Sequence, residues 1–121
     1  MYIKEFKDFD SDSGEADVIV TDGLHELMCY CHPINNTKVG TIVEKVSTLF
    51  AENIMRVDSQ KYLIKKESEH YAYLLQGKVL SCDEPLIGIG ELIVELDKPL
   101  PKDIKQGEFV ELEVYRLDCV V

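Results

Sequence analysis

ELIVELDKPLPKDIKQGEFVELEVYRLDCVV, residues 91–121, decides the fold class. In its first part Leu92, Val94 and Leu96 alternate with Glu91, Glu95 and Asp97. In its second part Val110, Leu112 and Val114 alternate with Glu111, Glu113 and Tyr115. A period of two sends each set to its own face of a strand. Both parts therefore read as strands with one apolar face that needs a core and one acidic face that suits water. Between them KPLPKDIKQGE reads as a proline-bounded turn, with one helical turn expected at residues 102–105. The simplest arrangement joins the two strands as an antiparallel pair. The apolar phase changes inside the second one: Val110, Leu112 and Val114 are even-numbered, whereas Leu117, Cys119 and Val121 are odd. It changes again across Gly88 and Gly90, and such shifts are what bulges and corners produce.

Outward from this stretch the same signals recur. Residues 62–66 and 70–80 read as strands joined across the polar Ser68 and Glu69, the second interrupted at Gly77. Residues 16–21 and 26–32 read as a hairpin around Asp22-Gly23, ended by Pro33. The N-terminal residues 1–14 begin with Tyr2, Ile3, Phe6 and Phe9 and run into the acidic DFDSDSG. They are expected to form an edge strand or an extended arm laid on the domain, followed by a loop. Residues 41–57 are ambiguous. Ile42, Val43, Val46, Leu49, Phe50, Ile54 and Val57 fall at helical spacing, yet the segment is rich in β-branched residues. It reads as a long strand bulged near residues 49–51, with one helix as the alternative.

Short strands at regular spacing with turn signals between them predict a mainly β fold. The expectation is one antiparallel barrel of six or seven strands over residues 1–121, of the OB or SH3-like kind. A length of 121 residues suits one domain. With 23 acidic and 13 basic residues the formal net charge is −10. Most cations have an acid beside them: Lys65 and Lys66 precede Glu67 and Glu69, Lys102 and Lys105 flank Asp103, and Arg116 precedes Asp118. Such a chain repels polyanions, so no nucleic-acid partner is expected. A neutral, basic or apolar protein or small ligand fits better. No run reaches the roughly 18 apolar residues of a membrane span, and MYIKEFKDFD has no apolar signal region, so no membrane association and a cytoplasmic location are expected.

Sites are sparse. His25, Leu27, Cys29 and Cys31 share a strand face, but at strand rise His25 and Cys29 lie roughly 13 Å apart and cannot share a metal. There is no Cys-x-x-Cys knuckle, and the cysteines read as buried small apolar residues. Asp8, Asp10 and Asp12 alternate as in a calcium loop, yet Ser13 and Ile19 stand where an EF-hand needs glycine and glutamate. The stretch reads as a solvated loop, with a looser cation site of Asp8, Asp10, Asp12 and Glu15 as the alternative. No catalytic signature is present, so no catalytic residue, metal or cofactor is assigned. Tyr71, Tyr73 and Leu75 share one face of a strand and form the candidate interaction surface, provided that face is exposed. The functional expectation is a non-catalytic binding or interaction module. The alternatives are a structural homo-oligomer and a small enzyme or metal-binding protein.

Overall fold

The computed structural model describes residues 1–34, 37–67 and 71–120. These form nine strands and no helix: β1 Tyr2–Asp10, β2 Glu15–Thr21, β3 Glu26–Cys31, β4 Val46–Val57, β5 Leu63–Lys66, β6 Tyr73–Ser81, β7 Leu86–Ile89, β8 Leu92–Glu95 and β9 Phe109–Cys119. They lie in the order β1-β2-β3-β9-β4-β8-β7-β6-β5, and β9 also pairs with β6. That second pairing closes β9, β4, β8, β7 and β6 into a five-stranded barrel. The fold is thus a mainly β barrel, with β1–β3 and β5 as additional strands. It is not wholly antiparallel, since β4 runs parallel to β8 and β3 parallel to β9. No helix among the described residues is long and apolar enough to cross a membrane. The expected strand link at Ser68-Glu69, together with His70 and Val121, lies outside the described residues.

The two strands that decide the fold class do not pair with each other. β4 lies between them, parallel to β8 through Val46↔Val94 and antiparallel to β9 from Val46↔Cys119 to Val57↔Phe109. The connection between β8 and β9 is too long for a tight hairpin, and it buries Leu100 and Ile104 on its way. In place of a helical turn it makes two successive tight turns, one closed by the Ile104 N–H donating to the Pro101 carbonyl and the next by the Glu108 N–H donating to the Lys105 carbonyl, both at 3.1 Å.

Residues 46–57 are strand, as their β-branched content suggests. The break in alternation falls at Phe50, where φ is 56°. The phase of β9 changes at the same level. Ala51↔Val114 points inward on one side of the break, and Thr48↔Leu117 and Val46↔Cys119 point inward on the other. Phe50 and Tyr115 lie opposite each other between these sets. The β4–β9 ribbon therefore turns a corner as a unit without losing its pairing. Beyond the corner its buried face meets the β1–β3 layer. The register slip itself comes slightly later than expected, between Glu52 and Met55, with Asn53 at φ 52°.

β1 is an edge strand rather than a loose arm. It pairs with β2 from Tyr2↔Thr21 to Asp10↔Glu15. Its start is covered by the connection between β3 and β4: Gly40 N–H donates to the Ile3 carbonyl at 2.7 Å, and Ile3 N–H to that of Thr41 at 3.0 Å. Gly77 allows β6 and β7 to approach closely, because a Cβ there would lie 2.5 Å from the Gly88 carbonyl oxygen. One continuous core results. Val18, Val20, Leu27 and Cys29 of the β1–β3 layer join Leu75, Val110, Leu112 and Leu117 of the barrel strands.

Candidate functional site

Residues paired across neighbouring strands point to the same face of a sheet. Glu52↔Glu113, Glu113↔Leu74 and Leu74↔Lys65 therefore make one transverse row over β4, β9, β6 and β5. Their chain neighbours Ala51, Leu112, Val114, Tyr73 and Leu75 are buried, so this row faces outward. One step along the outer face stand Phe50 and Tyr115, 59% and 60% exposed. Their rings meet edge to face with centroids 6.0 Å apart. With Glu52, Glu67, Ala72, Tyr73, Glu113 and Val114 they line an open groove of about 390 Å³.

Phe50 is held in place by a dedicated lock. A positive φ is uncommon for a bulky residue and persists only where its surroundings enforce it. Asp97, just past β8, does so. Its Oδ2 accepts the Phe50 N–H at 2.8 Å, and its Oδ1 accepts the Ala51 N–H at 3.0 Å and the Thr48 hydroxyl at 2.8 Å. The Thr48 oxygen in turn accepts the Asp97 N–H at 2.9 Å. Burial alone would raise the Asp97 pKa, but these bonds hold it below the usual carboxylate value. Asp97→Ala is expected to cost about 2 kcal/mol in urea unfolding at neutral pH, the scale of lost hydrogen bonds to a charged group.

The acids of the groove are not neutralised by their neighbours. Glu52 and Glu113 are direct cross-strand partners, an arrangement that is destabilising for like charges. Glu113 accepts a bond from the Asn53 side-chain amide at 2.9 Å. Among the described residues no lysine or arginine forms an ion pair with Glu52, Glu67 or Glu113. Arg116, which follows Tyr115, pairs instead with Asp118 at 2.6 Å, and its guanidinium lies 4.3 Å from the centroid of the Tyr30 ring. Glu113→Gln should accordingly raise stability by about 0.5 kcal/mol, read from the urea midpoint.

The surface expected at Tyr71, Tyr73 and Leu75 is not present as such. Leu75 is fully buried, and Tyr73 shows the groove only its margin. The Tyr73 hydroxyl accepts the Met28 N–H at 2.9 Å and ties β6 to β3. Tyr71 is half-buried; its hydroxyl donates to Asp17 at 2.7 Å, and burial together with that bond pushes its pKa up to about 12. The three residues do share a side, but closure of the barrel makes Tyr73 and Leu75 part of the core. Of the pair that does face outward, Tyr115 had a signal in the sequence: it takes the solvent side of β9 beside Glu113. Phe50 had none, because its phase reads with the apolar set.

The other chemistry-bearing residues serve the fold. Cys29, Cys31 and Cys119 are buried and all four cysteines are free, Cys82 being the exposed one. Burial raises the pKa values of Cys29, Cys31 and Cys119, that of Cys119 to about 12, so these thiols are poor nucleophiles. His25 bonds Asp22 at 3.1 Å, and a ring nitrogen of His32 lies 2.9 Å from the Ser13 carbonyl oxygen. Among the described residues no group of three or more His, Cys, Asp or Glu is placed to hold a metal ion, the Asp8–Glu15 loop included. Comparison with known protein families, curated proteins and solved structures gives no match.

Proposed function

We propose that the chain is a non-catalytic binding module that engages a partner protein through the outer face of β4, β9 and β6. The observation that carries this reading is Phe50, a largely exposed aromatic held at positive φ by the Asp97 lock. Strain of this kind concentrates at functional positions. Exposed, rigid aromatic pairs are also what protein contacts use as anchors. A small barrel of the OB or SH3-like kind commonly works through a strand face, which is support by fold analogy. Four free thiols suit a reducing cytoplasmic setting.

Assembly by edge pairing has less support. β1 carries two register shifts and the charges of Lys4, Lys7, Asp8 and Asp10 along its edge. β5 is only four residues long and ends in Lys65 and Lys66. Short, charged or bulged edges resist strand addition.

The test is site-specific photo-crosslinking in the cells that make the protein. A benzophenone amino acid replaces Phe50 or Tyr115, and the exposed Leu24 or Val39 as controls. One discrete adduct from the first pair, absent from the controls, is expected. Labelling that is the same at all four positions would refute the proposal.

A further inference from the structure

We infer that the groove takes a lysine or arginine side chain of its partner, the cationic head between Glu52 and Glu113 and the stem against Phe50 and Tyr115. This rests on the binding-module reading above and specifies what is bound. The row Glu52–Glu113–Leu74–Lys65 makes two glutamates direct cross-strand partners on the outer face, with the only lysine of the row two strands away from Glu113. Glu67 adds a third acid to the groove lining. Three cations on or beside β4 and β9 are engaged elsewhere: Arg116 with Asp118, Arg56 with Glu108 and Lys45 with Glu95. Lys98 and Lys102 share a second, adjacent groove with Glu52, but among the described residues neither forms an ion pair with it.

Charge complementarity selects the occupant. A neutral apolar segment laid over the groove would strip water from Glu52 and Glu113 and give no counter-charge in return, which is costly. An anionic segment would add repulsion. A point ion is a poor fit as well, since the described acids do not converge on one position that a metal could occupy. Lysine and arginine combine an apolar stem with a charged tip. The stem matches the Phe50 and Tyr115 rings, whose faces also attract cations. The tip matches the two carboxylates, whose mutual repulsion it removes.

The experiment uses two synthetic probes: acetyl-Gly-Leu-Lys-Leu-Arg-Leu-Gly-amide and the same peptide with norleucine in place of both cations. Each is titrated into the isotope-labelled full chain while backbone amide signals are followed. The cationic peptide should move the signals of Phe50, Glu52, Glu113 and Tyr115 and bind at least tenfold more tightly than the norleucine peptide. The double variant Glu52→Gln, Glu113→Gln keeps side-chain size and should weaken the cationic peptide at least tenfold while unfolding at the same or higher urea concentration. Equal binding of both peptides at these residues would overturn the cation assignment and leave the groove as the contact site. Binding of neither peptide at these residues would overturn both.

Discussion

Leu112→Ala should lower the free energy of unfolding by about 3–4 kcal/mol, the upper part of the range for a leucine deleted from a rigid core. Leu112 is fully enclosed at the middle of β9 and sits opposite Leu75 of β6. The size of the loss depends on how far the surroundings can collapse into the space left behind. Here they collapse little, because β9 is hydrogen-bonded on one edge to β4 and on the other to β6. Shifting any of these strands inward would break the closed barrel. Urea unfolding at neutral pH measures the effect, with the denaturant slope unchanged if only stability is altered. A loss under about 1 kcal/mol would remove Leu112 from the core.

Asp22→Ala should cost about 3 kcal/mol, because its carboxylate joins two parts of the fold. Its Oδ1 accepts the N–H groups of Leu24 at 2.9 Å and His25 at 2.7 Å. Its Oδ2 accepts the Glu91 N–H at 2.8 Å and faces the His25 Nδ1 at 3.1 Å. The loop between β2 and β3 is thereby fastened to the turn between β7 and β8. The side chain is only 3% exposed, so its removal leaves enclosed N–H donors without acceptors. Gly90 makes room for this contact. It has φ 59°, and a Cβ there would lie 2.7 Å from the Asp22 oxygen and 2.5 Å from His25.

The same residue gives a pH dependence. Burial would raise the Asp22 pKa, but the bonds from His25, Glu91 and Leu24 hold it far below its ordinary value. A carboxylate depressed in the folded state stabilises fully above its unfolded pKa of about 3.9 and loses that contribution as pH falls toward the folded value. Between pH 7 and pH 3 the gap in stability between parent and Asp22→Ala should therefore narrow by about 1 kcal/mol. Asp97, lowered in the same direction, is present in both proteins and does not affect the difference.

The alternation of β9, with its change of phase between Val114 and Leu117, appears in the sequence and in the burial pattern alike. Strand periodicity reports faces, however, and not neighbours. It does not show that β4 separates β8 from β9, so alternation alone suggests that the two are neighbours. The sidedness of Tyr71, Tyr73 and Leu75 was legible, but which side faces the core is decided by closure between β6 and β9. Asp22 signalled only a hairpin, and Asp97 only an outward acid. Their roles as locks depend on Glu91 and on Phe50, contacts made across the chain. The confrontation of Glu52 with Glu113 requires a register, and so does the meeting of Phe50 with Tyr115.

If Phe50 is kept for contact and not for folding, replacing it should not weaken the fold. Phe50→Gly removes an exposed ring and places at φ 56° the one residue that adopts it without steric cost. The deciding measurement is the free energy of unfolding of Phe50→Gly against the parent, by urea at neutral pH. The expected result is a stability equal to that of the parent or up to about 1 kcal/mol higher. A loss of more than about 1 kcal/mol would make Phe50 a packing residue and contradict the assignment of this face to binding.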